Sequence, residues 1–451
     1  MKKLLVVLLS MGLVAAFSMN ASAADVKFGG SYYVVGVYEN NRRLADTDQT
    51  YSRAFIYQRT RIQPVFLIAE GLTLTTRFDA LEKQWGQTDW RGGFDDKNSS
   101  RRETPGSGNP KLQESIEFEW AYVTFKTAIG QFDIGMKQSG KWGTRLGDDS
   151  QTRPGIDYTA KFGPVTILAS YEKLFDADTS SQAGFAGKVD ADVDTYALAG
   201  LYNFKAGTAG LRYKYYNYAM NRTKAVPYRS KISEVAPYLM ATFGPVYIES
   251  ELNYFFGKAK EYEGAGAPAT GDVDAAGWAG YLMAKMNLGP AYIGGRVVYV
   301  SGDDGTDPTK DKTGSAVSPS HSNDLNTTLI LGSDDMQTQA NGSLGGANGA
   351  TRDSSKINML IYNAFAGYNP TAKLNLEAGI TMATADKKPV GYVSDKYGTE
   401  FDITAKYKIY DNLEYMIGAG YLWTGDYFKG NNAANKCGND YLLMNQLTLK
   451  F

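Results

Sequence analysis

At 451 residues and a net charge of −1, the chain is long enough for one large domain and offers nucleic acid no electrostatic hold. Its single Cys and single His exclude a disulfide framework and leave little for histidine-based catalysis or metal binding. The mean hydropathy of −0.35 and the lack of any mature apolar run of about 18 residues exclude a spanning helix, while 32 Tyr, 20 Phe and 49 Gly suit a surface that meets lipid and water together.

The chain begins MKKLLVVLLSMG. Lys2 and Lys3 precede an apolar run over 4–17, and Ala21-Ser22-Ala23 fits a small-residue cleavage site. Residues 1–23 therefore read as a secretory signal peptide, with the mature domain over 24–451. The run is shorter than the roughly 20 residues a spanning helix needs.

From there apolar residues recur with a period of two, the mark of strands with one greasy and one wet face. Strands are expected at 26–38 and 52–68. In RAFIYQRTRIQPVF, Ala54, Ile56, Thr60, Ile62 and Phe66 share one face, so Arg53, Tyr57, Arg59, Arg61 and Gln63 take the other. In the strand over 72–83, Leu72, Leu74 and Phe78 point out while Thr73, Thr75, Arg77 and Asp79 point in. In that over 113–127, Ile116, Phe118, Trp120 and Tyr122 are expected outward, Glu117 and Glu119 inward. A strand over 130–137 leads into a polar loop, 138–153, that carries Lys141, Trp142, Arg145, Asp148 and Asp149. Strands over 155–162 and 165–175 form a hairpin about Gly163-Pro164, a device repeated at Gly244-Pro245 and Gly289-Pro290. Further strands are expected at 193–204, 209–220, 231–243, 246–258 with Glu249 and Glu251 inward, 274–287, 291–301, 356–368, 373–385, 399–410 with Asp402, Lys406 and Lys408 inward, 413–424 and 441–451. That makes eighteen, with sixteen the alternative and twenty if residues 326–331 also pair.

The connections sort by length. Short corners alternate with long loops rich in Gly, Asp, Asn, Ser and Lys, the longest over 302–355. Short turns on one side and long loops on the other mark an all-β, closed antiparallel transmembrane barrel with periplasmic turns and extracellular loops. A closed barrel pairs every backbone group, as hydrocarbon demands. The final strand runs to the last residue: Tyr441, Leu443, Leu447, Leu449 and Phe451 alternate, with Asn445 the one departure.

In these features the chain resembles bacterial outer-membrane β-barrels, and the general porins in particular. The resemblance implies that Tyr441, Leu449 and Phe451 belong to a terminal signal read by the barrel-assembly machinery, and that the last strand closes on the first. It also implies a place in the outer-membrane bilayer with its lipopolysaccharide, and a homotrimer. In general porins the third loop folds inward with acidic groups opposite a basic wall. Lys141, Trp142, Arg145, Asp148 and Asp149 are the corresponding candidates, and loop 302–355 is their rival.

The inward residues set the function. Arg53, Arg59, Arg61 and Arg77 form a candidate basic wall, and Glu117, Glu119, Glu249 and Glu251 are acidic pore-lining candidates. At this strand number side chains cannot fill the lumen, so a water-filled channel for small hydrophilic solutes is expected. The alternative is a non-conducting scaffold or adhesin, or a sheath for an electron-transfer cytochrome. An energised receptor of roughly 22 strands would need a plug domain that the sequence does not offer. No enzyme, cofactor or metal is expected: His321 lies in a polar loop, and the carboxylates of DDGTDPTKD lack a calcium-loop spacing.

Overall fold

The computed structural model describes residues 25–44, 46, 52–85, 116–139, 141–148, 151–176, 190–264, 266–313, 325–333, 344–345, 351–352 and 357–451. The expected signal peptide, Asp149 and His321 lie outside them.

Eighteen long strands follow one another around a closed wall: β1 (Asp25–Glu39), β2 (Arg53–Ala69), β3 (Leu72–Gln84), β4 (Ile116–Thr127), β5 (Gly130–Ser139), β6 (Gln151–Phe162), β7 (Val165–Phe175), β8 (Val193–Phe204), β9 (Gly207–Tyr218), β10 (Tyr228–Phe243), β11 (Val246–Tyr262), β12 (Trp278–Leu288), β13 (Ala291–Val300), β14 (Met359–Thr371), β15 (Leu374–Thr384), β16 (Lys396–Tyr410), β17 (Leu413–Thr424) and β18 (Asp440–Lys450). Each pairs antiparallel with its neighbour, and β18 closes on β1 from Ser31 opposite Lys450 to Glu39 opposite Leu442. The Gly30 amide donates to the Phe451 carbonyl at 2.8 Å, and the Phe451 amide donates back at 3.1 Å. The last residue is thus part of the ladder.

Two-residue turns join alternate strand pairs at the end where β1 begins and β18 finishes. At Gly163, Gly244 and Gly289 φ is 57°, 59° and 66°. A following Pro fixes the second central residue, which matches a hairpin turn with Gly in the first position. A Cβ there would meet nothing within 4 Å, so backbone angle and not space demands glycine.

Alternation places Phe28, Leu198, Leu211, Ile403 and Leu443 on the exposed outer face. One expected face is wrong. Between β3 and β4, Arg77 stands opposite Trp120 but Phe78 stands opposite Phe118, so Glu119 is an extra residue in the ladder. This bulge reverses the face beyond it. Phe118 remains outward at 70% exposure, whereas Trp120, at 9%, turns inward. Tyr122 follows it, opposite the buried Thr75. The Arg77 guanidinium lies 3.5 Å from the Trp120 ring centre, which makes the inward position favourable.

The barrel interior is not empty at its loop end. Leu44, Leu146, Leu325, Ile330, Leu331, Tyr427 and Phe428 come in from loops and bury against Val298, Val300, Met359, Ile361, Leu422 and Leu442 of the wall. Residues 326–331 form bends and a turn inside this cluster, so they add no strand pair. Both long-loop candidates, the third loop and the 302–355 loop, send described residues into the lumen.

Candidate solute path

Strands β2 to β10 carry alternating inward charges of both signs. Arg61 makes a two-pronged contact with Asp79, Nε and Nη2 each 2.7 Å from a carboxylate oxygen. Arg59 lies 3.4 Å from Glu82 and stacks its guanidinium 4.9 Å over Tyr33. Arg77 donates to Glu119 at 3.0 Å. Arg53 stands opposite Glu39 in the ladder and over the Phe55 ring at 5.0 Å. Further round, Lys137 pairs with Asp157 at 2.6 Å, Lys214 with Glu172 at 3.1 Å and Arg212 with Glu234 at 2.8 Å. Glu117 stands opposite Asp79 and next to the bulge. The four arginines of the candidate basic wall therefore sit within an alternating charge lattice. Groups this confined need such partners, because a charge withdrawn from water is costly unless paired.

The third loop crosses this lattice and is held from three sides. The Trp142 indole donates from Nε1 to the Ala236 carbonyl at 2.9 Å, with its ring edge-on to Tyr238 at 5.1 Å. The Thr144 amide and hydroxyl both donate to Glu251, at 2.7 and 2.8 Å. Leu146 is buried in the loop cluster. Gly143 turns with φ of 56°, and a Cβ on Gly147 would stand 2.3 Å from Glu251, so the carboxylate fits against a backbone stripped of side chains. Glu251 thus acts as an anchor and is 4% exposed.

Behind the loop a cavity of about 180 Å³ is lined by Lys137, Lys141, Trp142, Asp157, Glu172 and Lys214 among others. In front of it a wider gap of about 490 Å³ is bounded by Gly143, Thr144, Arg145 and Asp148 of the loop, Met240 of β10, Glu249 of β11 and Asn326 of the long loop. Tyr247 donates its hydroxyl to Glu249 at 2.8 Å. Arg145 is exposed and makes no ion pair within 4 Å among the described residues.

The opposite side of the gap depends on residues the sequence argument did not single out. The amides of Ile330 and Leu331 both donate to Glu400 at 2.7 Å. Inward glycines on β17 make the seat: a Cβ at Gly418 or Gly420 would come within 3.2 or 3.3 Å of Leu329. The signal for Glu400 was present, since it lies two residues before the inward Asp402 on the same strand. Glu172, Arg212 and Lys214 were likewise readable by alternation on β7 and β9. The acidic run of the long loop is occupied with itself. Asp304 accepts from the hydroxyl and amide of Thr306, and Asp307 does the same with Thr309. These bonds hold both carboxyls below the usual range.

The terminal candidates lie on the outer face and at the turn end. Tyr441 is 37% and Phe451 56% exposed, and Tyr441 packs beside Tyr38 at 5.8 Å. Leu449 stands opposite Tyr32.

No protein-family model and no curated protein sequence matches the chain. Among solved structures it is similar to Pseudomonas aeruginosa OccK8 (OprE), at 13% identity with a TM-score of 0.52, over 95% of this chain and 98% of that one. It is also similar to Pseudomonas aeruginosa OccK9 (OpdG), at 14% identity with a TM-score of 0.50, over 94% and 99%. At such identity the likeness is one of fold, a closed antiparallel β-barrel.

Proposed function

We propose that residues 24–451 form a porin in a bacterial outer membrane, through which small hydrophilic solutes and ions diffuse. The observation that carries this reading is the polar gap of about 490 Å³ between the third loop, the long loop and the β10–β11 wall. Its lining of Arg145, Asp148, Glu249 and Asn326 favours water over lipid or packed side chains. A cytochrome sheath would need the interior volume that Trp142, Leu325, Ile330 and Leu331 fill. That favours the channel. On this reading residues 1–23 direct export, the bilayer and lipopolysaccharide surround the exposed apolar face, and the assembly machinery reads the strand that ends in Phe451. A homotrimer is the assembly proposed.

The test is planar-bilayer recording of the refolded, heat-modifiable barrel in a potassium chloride gradient. Discrete ohmic steps are expected. A folded barrel that inserts and passes no current would sink the channel reading.

A further inference from the structure

We infer that Arg145, on the third loop, is the residue that sets charge selectivity of the path; the inference rests on the channel reading above. Five cations of the β2–β9 wall are the obvious candidates, but their fields are cancelled close to home. Arg61 is gripped by Asp79, Arg77 by Glu119, Lys137 by Asp157, Lys214 by Glu172 and Arg212 by Glu234, at 2.6 to 3.1 Å. From a few ångströms away such a pair acts as a dipole. Its effect falls off faster with distance than that of a lone charge.

Arg145 is different in three respects. It lines the front gap together with Asp148 and Glu249. It is exposed, with no ion pair within 4 Å among the described residues. It also has a fixed base, because the flanking Thr144 and Leu146 are held by Glu251 and by the buried cluster. Its charge reaches Tyr247 and Tyr281 on the β11–β12 wall. A guanidinium on a rigid turn is thus presented to whatever passes, with its donors free for an anionic group. Glu249 and Asp148 supply the opposite sign on the same gap, so the field runs across the path. Lys406 and Lys408 are also exposed, but they stand near the turn end of β16, away from this narrowing.

The experiment compares Arg145→Gln, Arg145→Glu and the paired change Lys137→Gln with Asp157→Asn. The readout is reversal potential in a tenfold potassium chloride gradient at low salt. Removing one unit charge about 5 Å from a permeating ion in water should disfavour an anion roughly fourfold and favour a cation by the same factor, so the anion-to-cation permeability ratio should change roughly sixteenfold. Arg145→Gln should lower that ratio by about this factor and Arg145→Glu by more, while the paired variant stays at the wild-type value. Arg145 lies on an exposed loop position, so folding should be unaffected and heat modifiability checks it. An Arg145→Glu barrel with wild-type reversal potential overturns the inference, as does a paired variant that shifts as far as Arg145→Gln. A wild-type barrel that passes no current strikes the channel reading itself, which keeps the two failures apart.

Discussion

A Cβ built on Gly30 would stand 2.4 Å from the Arg61 carbonyl oxygen and 2.7 Å from the Phe451 ring. Both distances are impossible for a real side chain. Gly30 is therefore the notch into which the terminal ring folds once β18 has closed on β1. Gly29 next to it is a natural control, because its Cβ would meet only the Phe451 carbonyl oxygen, at 3.7 Å. Gly30→Val should destabilise the barrel by about 1–3 kcal/mol, the usual range for overpacking. Gly29→Ala should change it little. Urea unfolding in lipid vesicles, followed by heat modifiability, reads the difference. Equal midpoints for the two variants would show that the ring does not use this notch. The same scale explains Trp120. One extra residue, Glu119, reverses the face of everything after it, and Arg77 supplies the partner that makes an inward indole acceptable.

The elements were largely legible in the sequence, and the reason is physical. A strand between lipid and water must alternate, so ITAKYKI announces its faces without any knowledge of neighbours. Gly-Pro corners announce their turns because only glycine takes the required φ cheaply. What could not be read needed a second strand. The β3–β4 bulge exists only in the pairing of Phe78 with Phe118, and no pattern within β4 encodes it. The apolar segment NTTLILG drew notice inside a polar loop, but local pattern allowed a strand where the barrel interior offered a seat. That seat joins Glu400, Gly418 and Gly420 to Leu329, Ile330 and Leu331 across many residues of chain. It yields a test at this scale. Glu400→Ala removes two charge-assisted hydrogen bonds, each worth about 1.5–3 kcal/mol. Gly420→Val fills the space that Leu329 faces. Both variants should raise single-channel conductance and expose residues 325–333 to external protease. Wild-type conductance together with a protected segment in both would mean that Glu400 does not hold the loop in place.

For the molecule as a whole the question is how a near-neutral chain builds a field inside itself. Fifteen-residue and longer strands such as β1, β2, β10, β11 and β16 carry charges well inside the wall. Those charges persist there because opposite signs sit on neighbouring strands, about 4.8 Å apart, and satisfy one another. The wall arginines can be tested as members of this lattice. Arg59→Gln with Arg61→Gln removes two cations and strands Asp79, which is buried to 2% exposure, along with Glu82. The double variant should shift reversal potential toward cations. Adding Asp79→Asn and Glu82→Gln should bring it back, because the neutralised set has the same net charge as the original. Salt should blunt the first shift, since the screening length falls from about 10 Å at 0.1 M to about 3 Å at 1 M. Three outcomes are informative. Shift and restoration place Arg59 and Arg61 beside the path as compensated charges. A shift that the added changes fail to reverse means that the carboxylates lie out of reach of the permeating ion and the arginines act alone. No shift at low salt means that the path does not pass β2, and it must then run on the far side of the third loop, where Glu249 and Arg145 would carry the whole field.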